Sequence, residues 1–119
     1  NADALEIYRT VYICEGAINA ETLGENGIAT GGKAVSRWQV NKFIKSQVEK
    51  FIILIDPDAK DKALDLAFKL VPFKKVKVVF LPDNEDVNSL GKRRTLEYVR
   101  ETTYQTYQEL LTIKSQLKL

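Results

Sequence analysis

Four carboxylates follow predicted strands of this chain, and they are the side chains best placed to do chemistry: Glu15, Asp56, Asp58 and Asp86. Carboxylates held close together repel one another, so a cluster of them favours a bound cation. Oxygen ligands suit hard divalent cations, and Mg²⁺ in such sites keeps positions open for phosphate oxygens. If the fold brings the four together, the cluster predicts Mg²⁺ or Mn²⁺ and phosphoryl transfer or phosphodiester cleavage.

The composition excludes several other kinds of site. The 119 residues include no His and one Cys, so neither the usual zinc ligand sets nor catalysis by a Ser-His-Asp or Cys-His arrangement can be assembled within the chain. A hydrophobic fraction of 45% is typical of a globular domain, whereas a net charge of +2 does not by itself indicate a nucleic-acid partner. Apolar runs are too short to predict a membrane span, and we expect a cytoplasmic protein.

Strand-like and helix-like segments alternate along the chain. Apolar and β-branched runs predict strands over 10–15, 28–30, 51–55 and 75–81. Helical spacing predicts helices over 17–25 and 36–47, between Asp58 and Pro72, and from about Ser89 to the end. The alternation predicts an α/β sandwich of the Rossmann type, with a mostly parallel sheet of about four strands, flanking helices and a C-terminal helical extension.

Parallel strands end at one edge of their sheet, and ligands of such folds bind there. Taken one at a time, each acidic residue is more often a helix cap or a turn residue. The concentration of all of them after three strands, at 15, 56–58 and 86, favours a shared site instead.

Four motifs of the chain resemble, in order, those of the Toprim domain of bacterial and phage DNA primases. They are E-G-x-x-N-A at 15–20, G-G-K-A with a following W-Q at 31–39, D-P-D at 56–58 and L-P-D-N-E-D-V-N-S-L-G at 81–91. The resemblance implies that Glu15 acts in acid–base chemistry or metal binding. It also implies that Asp56, Asp58 and Asp86 bind Mg²⁺ or Mn²⁺.

The chain departs from the primase pattern at a few positions. Asn19 stands where the pattern usually has Asp, and Asn88 stands where Asp or Asn occurs, so both are candidate metal ligands or supports of the ligands. Three basic residues are candidate contacts to nucleotide or nucleic acid: Lys33, Arg37 and Lys60. The alternatives that involve no binding are a simple turn at Lys33, a solvated helix face at Arg37 and a solvated side chain at Lys60.

The resemblance implies the metal-binding catalytic module of an enzyme that makes short RNA primers on single-stranded DNA. Its partners would be the template, ribonucleoside triphosphates and a replicative helicase, fused or recruited. A Toprim nuclease or topoisomerase module is the alternative within the same fold. A haloacid-dehalogenase-like phosphatase is disfavoured because Ala59-Lys60 follow the D-x-D pair, and a docking domain without activity stays open.

The predicted organisation is a catalytic domain over 1–94 and a C-terminal helix over 95–119 that packs on the domain or links it to another. The absence of Met suggests a piece of a longer protein. In the primases that it resembles, a basic subdomain and often a zinc module precede the Toprim domain, so the resemblance implies that this piece has little or no activity of its own. Because the apolar seam continues past Tyr104, we expect the last segment to project toward a partner or to begin a linker to one.

Overall fold

The computed structural model describes residues 4–31, 34–55 and 59–118. These residues form four strands and seven helices. In chain order they are α1 (Ala4–Ile7), β1 (Thr10–Cys14), α2 (Ala17–Leu23), β2 (Gly27–Ala29), α3 (Arg37–Lys45), β3 (Lys50–Ile55), α4 (Lys60–Leu70), β4 (Lys75–Phe80), α5 (Val87–Leu90), α6 (Lys92–Glu101) and α7 (Tyr107–Leu117).

The four strands form one parallel sheet in the order β2-β1-β3-β4. The predicted α/β architecture with a four-stranded, mostly parallel sheet is confirmed. The chain moves outward from β1 to β2 and then crosses back to β3, so β1 and β3 are neighbours at which the direction of winding changes. In open α/β sheets the binding crevice lies at this point, beyond the carboxyl ends of the strands.

Successive residues of the central strand β3 contribute to opposite faces of the sheet, as the pleat requires. Phe51, Ile53 and Ile55 belong to the core under α3, α4 and α7, which we call the α4 face. Ile52 and Leu54 belong to the core under α2, α5 and α6, which we call the α2 face. Burial on both faces explains why the segment is an unbroken apolar run.

Local features of the sequence explain where α3 begins and why position 27 is a glycine. Ser36 and Gln39 form a capping box, with each side chain bonded to the other residue's backbone N–H. Val40 and Phe43 are buried in α3, whereas Trp38 is 70% exposed. Gly27 lies so close to α2 that a Cβ there would stand 2.3 Å from the carbonyl oxygen of Ala20, so only glycine fits.

The C-terminal segment is not the continuous helix that its apolar seam predicts. It forms α5, α6 and α7, and the chain between α6 and α7 runs beside β4, the last strand of the sheet. There the backbone N–H of Gln105 donates to Val76 O, while its side chain accepts from Val78 N and donates to Val78 O. These bonds satisfy an otherwise exposed strand edge, and a helix could not make them.

The last helix returns to the domain. α7 packs against α4, and Leu110 is fully buried in the core of the α4 face. The expectation that the chain after Tyr104 projects outward is therefore wrong. The apolar seam alone did not show that the helix ends after α6 and begins again at α7. The division of roles between 1–94 and 95–119 stays a prediction.

Candidate active site at the carboxyl edge of the sheet

Glu15 is the first residue after β1, and its side chain is partly buried. Its carbonyl oxygen accepts a hydrogen bond from Gly31 N at 2.9 Å, and that of Cys14 accepts one from Thr30 N at 2.9 Å. The segment that leaves β2 is thereby tied beside Glu15. The predicted general base or metal ligand stands at a strand end on the expected edge.

The neighbouring strand β3 ends at the same edge. Ile13 of β1 pairs with Ile53 of β3, so Glu15 continues the ladder to the level of Ile55, where β3 ends. Asp56 and Asp58 follow directly in sequence and lie outside the described residues. Strand register thus brings the end of β3 next to Glu15.

Asp86 follows β4 and caps α5. Its Oδ1 accepts from Ser89 N at 2.8 Å, and its own N–H donates to Ser89 Oγ at 2.9 Å. A helix cap is the structural alternative to metal binding for Asp86, and the structure contains this cap. It engages one of the two carboxylate oxygens, and Asp86 is partly buried in the segment that follows β4.

Asn19 and Asn88 are brought together by the packing of α2 against α5. Asn19 is 7% exposed, and its Oδ1 accepts a hydrogen bond from Asn88 N at 3.0 Å. Thr22 Oγ1 of α2 lies 3.3 Å from Asn88 Oδ1. The contact fixes the helix that Asp86 caps to the helix that follows Glu15. The sequence suggested the two amides as metal-site residues but gave no sign that they meet.

A small cavity opens beside Glu15. It has a volume of about 40 Å³ and lies between the ends of β1 and β3, the segment after β2 and the start of α4. Its lining combines apolar side chains such as Ile55 and Val35 with the polar groups of Glu15, Thr30 and Lys62. This volume is too small for a nucleotide, so the cavity by itself is not a nucleotide-binding site.

The candidate basic residues differ in placement. Arg37 is exposed in the first turn of α3, and Lys60 is partly buried at the start of α4. Lys33 lies outside the described residues. Lys62, which the sequence did not single out, lines the cavity beside Glu15. No pattern in the sequence distinguishes it from the other lysines of α4.

Within residues 4–31, 34–55 and 59–118, no three Asp, Glu or Cys side chains lie close enough together to hold a metal ion. The two aspartates predicted to bind most directly are outside these ranges. The donors that the structure describes, Glu15 and the second oxygen of Asp86, are oxygen ligands of the kind that Mg²⁺ and Mn²⁺ take. In the same ranges no helix is long and apolar enough to cross a membrane.

A second polar cluster lies on the α2 face, near the amino ends of the strands. Lys77 is 7% exposed, donates from Nζ to Val99 O at 2.9 Å and lies 4.5 Å from the centre of the Tyr104 ring. Burial, with a smaller contribution from Lys50, lowers the pKa of Lys77. Burial raises the pKa of Tyr12 and of Tyr104. Lys77 occupies a strand position that the alternating pattern of K-V-K-V-V-F did not distinguish from an exposed lysine.

Comparisons with known proteins identify the fold. No protein-family model matches the chain, and no curated protein matches it. Among solved structures, the E. coli primase catalytic core matches 99% of this chain and 42% of its own length, with a TM-score of 0.74 and 16% identity. A structure described as the DnaG catalytic core matches 82% of this chain and 35% of its own length, with a TM-score of 0.65 and 19% identity.

The chain spans less than half the length of either solved structure. At these identities the likeness shows the fold, and the parallel sheet with helices on both faces agrees with it. The resemblance found in the motifs and the resemblance found in the coordinates therefore point to the same class. The chain has the fold of the matched part of the primase catalytic core, as expected of a Toprim domain of the DNA primase type.

Proposed function

We propose that this chain is the metal-binding catalytic module of a DNA primase, which makes short RNA primers on single-stranded DNA by nucleotidyl transfer. One observation carries the proposal. The parallel neighbours β1, β3 and β4 end at one edge of a sheet with the primase-core fold, and Glu15, D-P-D and Asp86 follow these three strands in the sequence. The order of the four motifs along the chain supports the same function.

The metal-binding residues in this proposal are Asp56, Asp58 and Asp86. A Mg²⁺ or Mn²⁺ ion bound there supplies positive charge to the triphosphate of the incoming nucleotide. In this proposal Asp86 binds the ion through the carboxylate oxygen that does not take part in the cap of α5. Asn19 acts indirectly, since its bond to Asn88 N fixes α5 and so the position of Asp86.

Glu15 serves as the base in this proposal. Its place at the end of β1 puts a carboxylate beside the end of β3, and in this proposal the 3′-hydroxyl of the primer meets the nucleotide there. Removal of the hydroxyl proton by Glu15 makes the oxygen a better nucleophile toward the α-phosphate. The oxygen–phosphorus bond forms as the bond to pyrophosphate breaks. Template DNA, ribonucleoside triphosphates and a fused or recruited helicase are the partners that follow from this function.

Metal binding is tested on the 119-residue chain by titration with Mn²⁺, with free Mn²⁺ followed by electron paramagnetic resonance. The double substitution Asp56→Asn with Asp58→Asn is expected to weaken binding at least about tenfold, because it removes negative charge and anionic ligands together. The matched control is Asp61→Asn with Asp65→Asn, which removes the same charge from the exposed surface of α4. Equal binding by the wild type and the D-P-D variant would contradict the metal site.

Catalysis is tested in the natural full-length protein by incorporation of labelled ribonucleotides on a single-stranded template. Glu15→Gln is expected to reduce primer synthesis by about 10² or more, the usual effect of removing a general base. Glu21→Gln, at an exposed position of α2, is the control. Nicking of supercoiled plasmid in Mn²⁺, with no primer made, would instead identify the nuclease alternative.

A further inference from the structure

The solvent-facing side of α3 has an unusual composition. We call it the α3 surface, and it consists of Arg37, Trp38, Lys42 and Lys45. Val40 and Phe43 bury the opposite side of the helix, so the four side chains share the outer side. Trp38 is 70% exposed, the largest exposed fraction among the bulky apolar side chains of the described residues.

The charges on this helix are all of one sign. α3 contains no Asp or Glu. Among the described residues, Arg37, Lys42 and Lys45 form no ion pair, whereas Arg9 and Lys69 each pair with a carboxylate. Uncompensated cations that surround an exposed indole favour an anionic partner with flat, apolar groups.

The exposed indole of Trp38 makes a contact within α3 and is available for stacking. Lys42 Nζ lies 5.4 Å from the centre of the Trp38 ring, a cation–π contact within the helix. A nucleobase can stack on an exposed indole, and neighbouring lysines can neutralise the phosphates on either side of that base. In a duplex the faces of the bases are stacked on one another, so no base face is available to the ring. The combination therefore fits a single strand better than a double helix.

The topology relates this surface to the candidate active site. Strand β2 ends at the same edge as Glu15, and the segment leaving it is bonded to Cys14 and Glu15. The first turn of α3 follows that segment, so Arg37 and Trp38 lie at the end of the helix nearer the edge, and Lys45 lies at the far end. A strand bound along α3 would lead toward or away from the edge.

We propose that the α3 surface binds single-stranded DNA, with one base stacked on Trp38 and the flanking phosphates near Lys42 and Lys45. The inference rests on the proposed function for the choice of DNA as the nucleic acid. It assigns the strand to a helix face whose contacts do not involve the metal. Binding without metal or nucleotide therefore separates this inference from the proposed catalysis.

The chain offers a direct reporter, because Trp38 is its only tryptophan. We expect oligo(dT) to quench the Trp38 emission of the 119-residue chain in EDTA at low salt, and duplex DNA of the same length to bind more weakly. In a parallel anisotropy assay with labelled oligo(dT), Trp38→Ala is expected to weaken binding roughly 5- to 100-fold, as removal of one stacked base does. Trp38→Phe, which keeps an aromatic face, should have an affinity between those of the wild type and Trp38→Ala.

The lysines are tested by salt dependence. Lys42→Gln with Lys45→Gln is expected to lower the slope of log K against log salt by about 1.4, or about 0.7 for each phosphate that is no longer neutralised.

Phe73→Ala is the matched control for Trp38→Ala, because Phe73 is an aromatic residue 63% exposed outside α3. Circular dichroism confirms that each variant is folded.

Three results would overturn the inference. One is the absence of quenching by oligo(dT) at low salt, and another is equal DNA affinity of Trp38→Ala and the wild type. The third is a Trp38 emission that changes only with protein concentration, together with self-association in the ultracentrifuge. That last result would identify the α3 surface as a contact between copies of this chain. None of these results bears on Mn²⁺ binding or on the effect of Glu15→Gln.

Discussion

The two faces of the sheet bury different kinds of side chain. The α4 face has the larger core of the described residues, and that core is made of aliphatic and aromatic groups. The α2 face has a smaller apolar core. It also holds the three buried polar residues found in the described ranges, which are Asn19, Lys77 and Thr95.

The difference follows from what each face supports. The α4 face carries long crossover helices whose task is to cover the sheet, and burial of apolar area stabilises them. The α2 face carries α5, a four-residue helix that brings Asp86 to the edge and is too short to be stable on apolar contacts alone. The hydrogen bond that Asn19 Oδ1 accepts from Asn88 N and the bond within the Asp86 cap hold α5 in place. We therefore expect apolar substitutions on the α4 face to affect stability most, and polar substitutions on the α2 face to affect the site.

The largest effect is expected from Leu110→Ala on the α4 face. Leu110 is fully buried where α7 packs on the domain, so its truncation should lower the free energy of unfolding by about 2–5 kcal/mol. Leu111→Ala, at a neighbouring position 41% exposed, should change it by about 0.5 kcal/mol. Urea unfolding followed by circular dichroism measures both. Equal midpoints would mean that α7 contributes little to the fold in solution.

Asn19→Ala tests the polar link between α2 and α5. The substitution leaves Asn88 N–H without its acceptor and should lower the free energy of unfolding by about 1–3 kcal/mol. Urea unfolding again provides the measurement. Ile18→Ala, on the exposed side of the same helix, is the control.

Asn19→Asp refines the same test, because it keeps the acceptor oxygen and adds a negative charge. We expect it to retain most of the stability and to bind Mn²⁺ more tightly than the wild type. Titration with Mn²⁺ checks this outcome. Tighter metal binding by Asn19→Ala as well would show that the charge is not the cause.

Thr95→Val should have a small effect of opposite sign. Thr95 Oγ1 is buried and has no hydrogen-bond partner among the described residues, so the hydroxyl is desolvated without compensation. Valine has nearly the same shape, and the substitution should raise the free energy of unfolding by about 1 kcal/mol. Thr95→Ser, which keeps the hydroxyl and removes the methyl group, should lower it. A drop in stability for Thr95→Val would indicate a partner for the hydroxyl.

Lys77→Met should change stability little at neutral pH but should change its dependence on pH. Because the folded-state pKa of Lys77 is lowered, the unfolded state binds more protons between that pKa and the ordinary value of 10.5. Stability from this group therefore rises with pH in that window, and Lys77→Met should abolish the rise.

Tyr12 and Tyr104 have the opposite sign. Their pKa values are raised, so stability from these groups falls as pH rises above 10.0. Urea midpoints measured across the alkaline range distinguish the two contributions. Lys75→Met, at an exposed position of the same strand as Lys77, is the control and should keep the wild-type rise. A rise that persists in Lys77→Met would assign it to another group.

Much of the fold was predictable from local patterns. The apolar run over 51–55 predicted strand β3, and helical spacing over 36–47 predicted α3. Thr106 and Glu109 have the same capping spacing as Ser36 and Gln39, and they form a capping box at the start of α7. This spacing is a local signal for a helix start within the C-terminal segment.

The sequence by itself determined the strands, the main crossover helices and the carboxylates at the strand ends, because these depend on spacing and on neighbours in the chain. Only the tertiary structure decided which groups meet across long separations. The Asn19–Asn88 bond, the Gln105 contact with the edge of β4 and the burial of Lys77 against Tyr104 each join segments that no periodicity relates. Such contacts depend on how whole faces pack, and a polar side chain is buried only where that packing also supplies its partner.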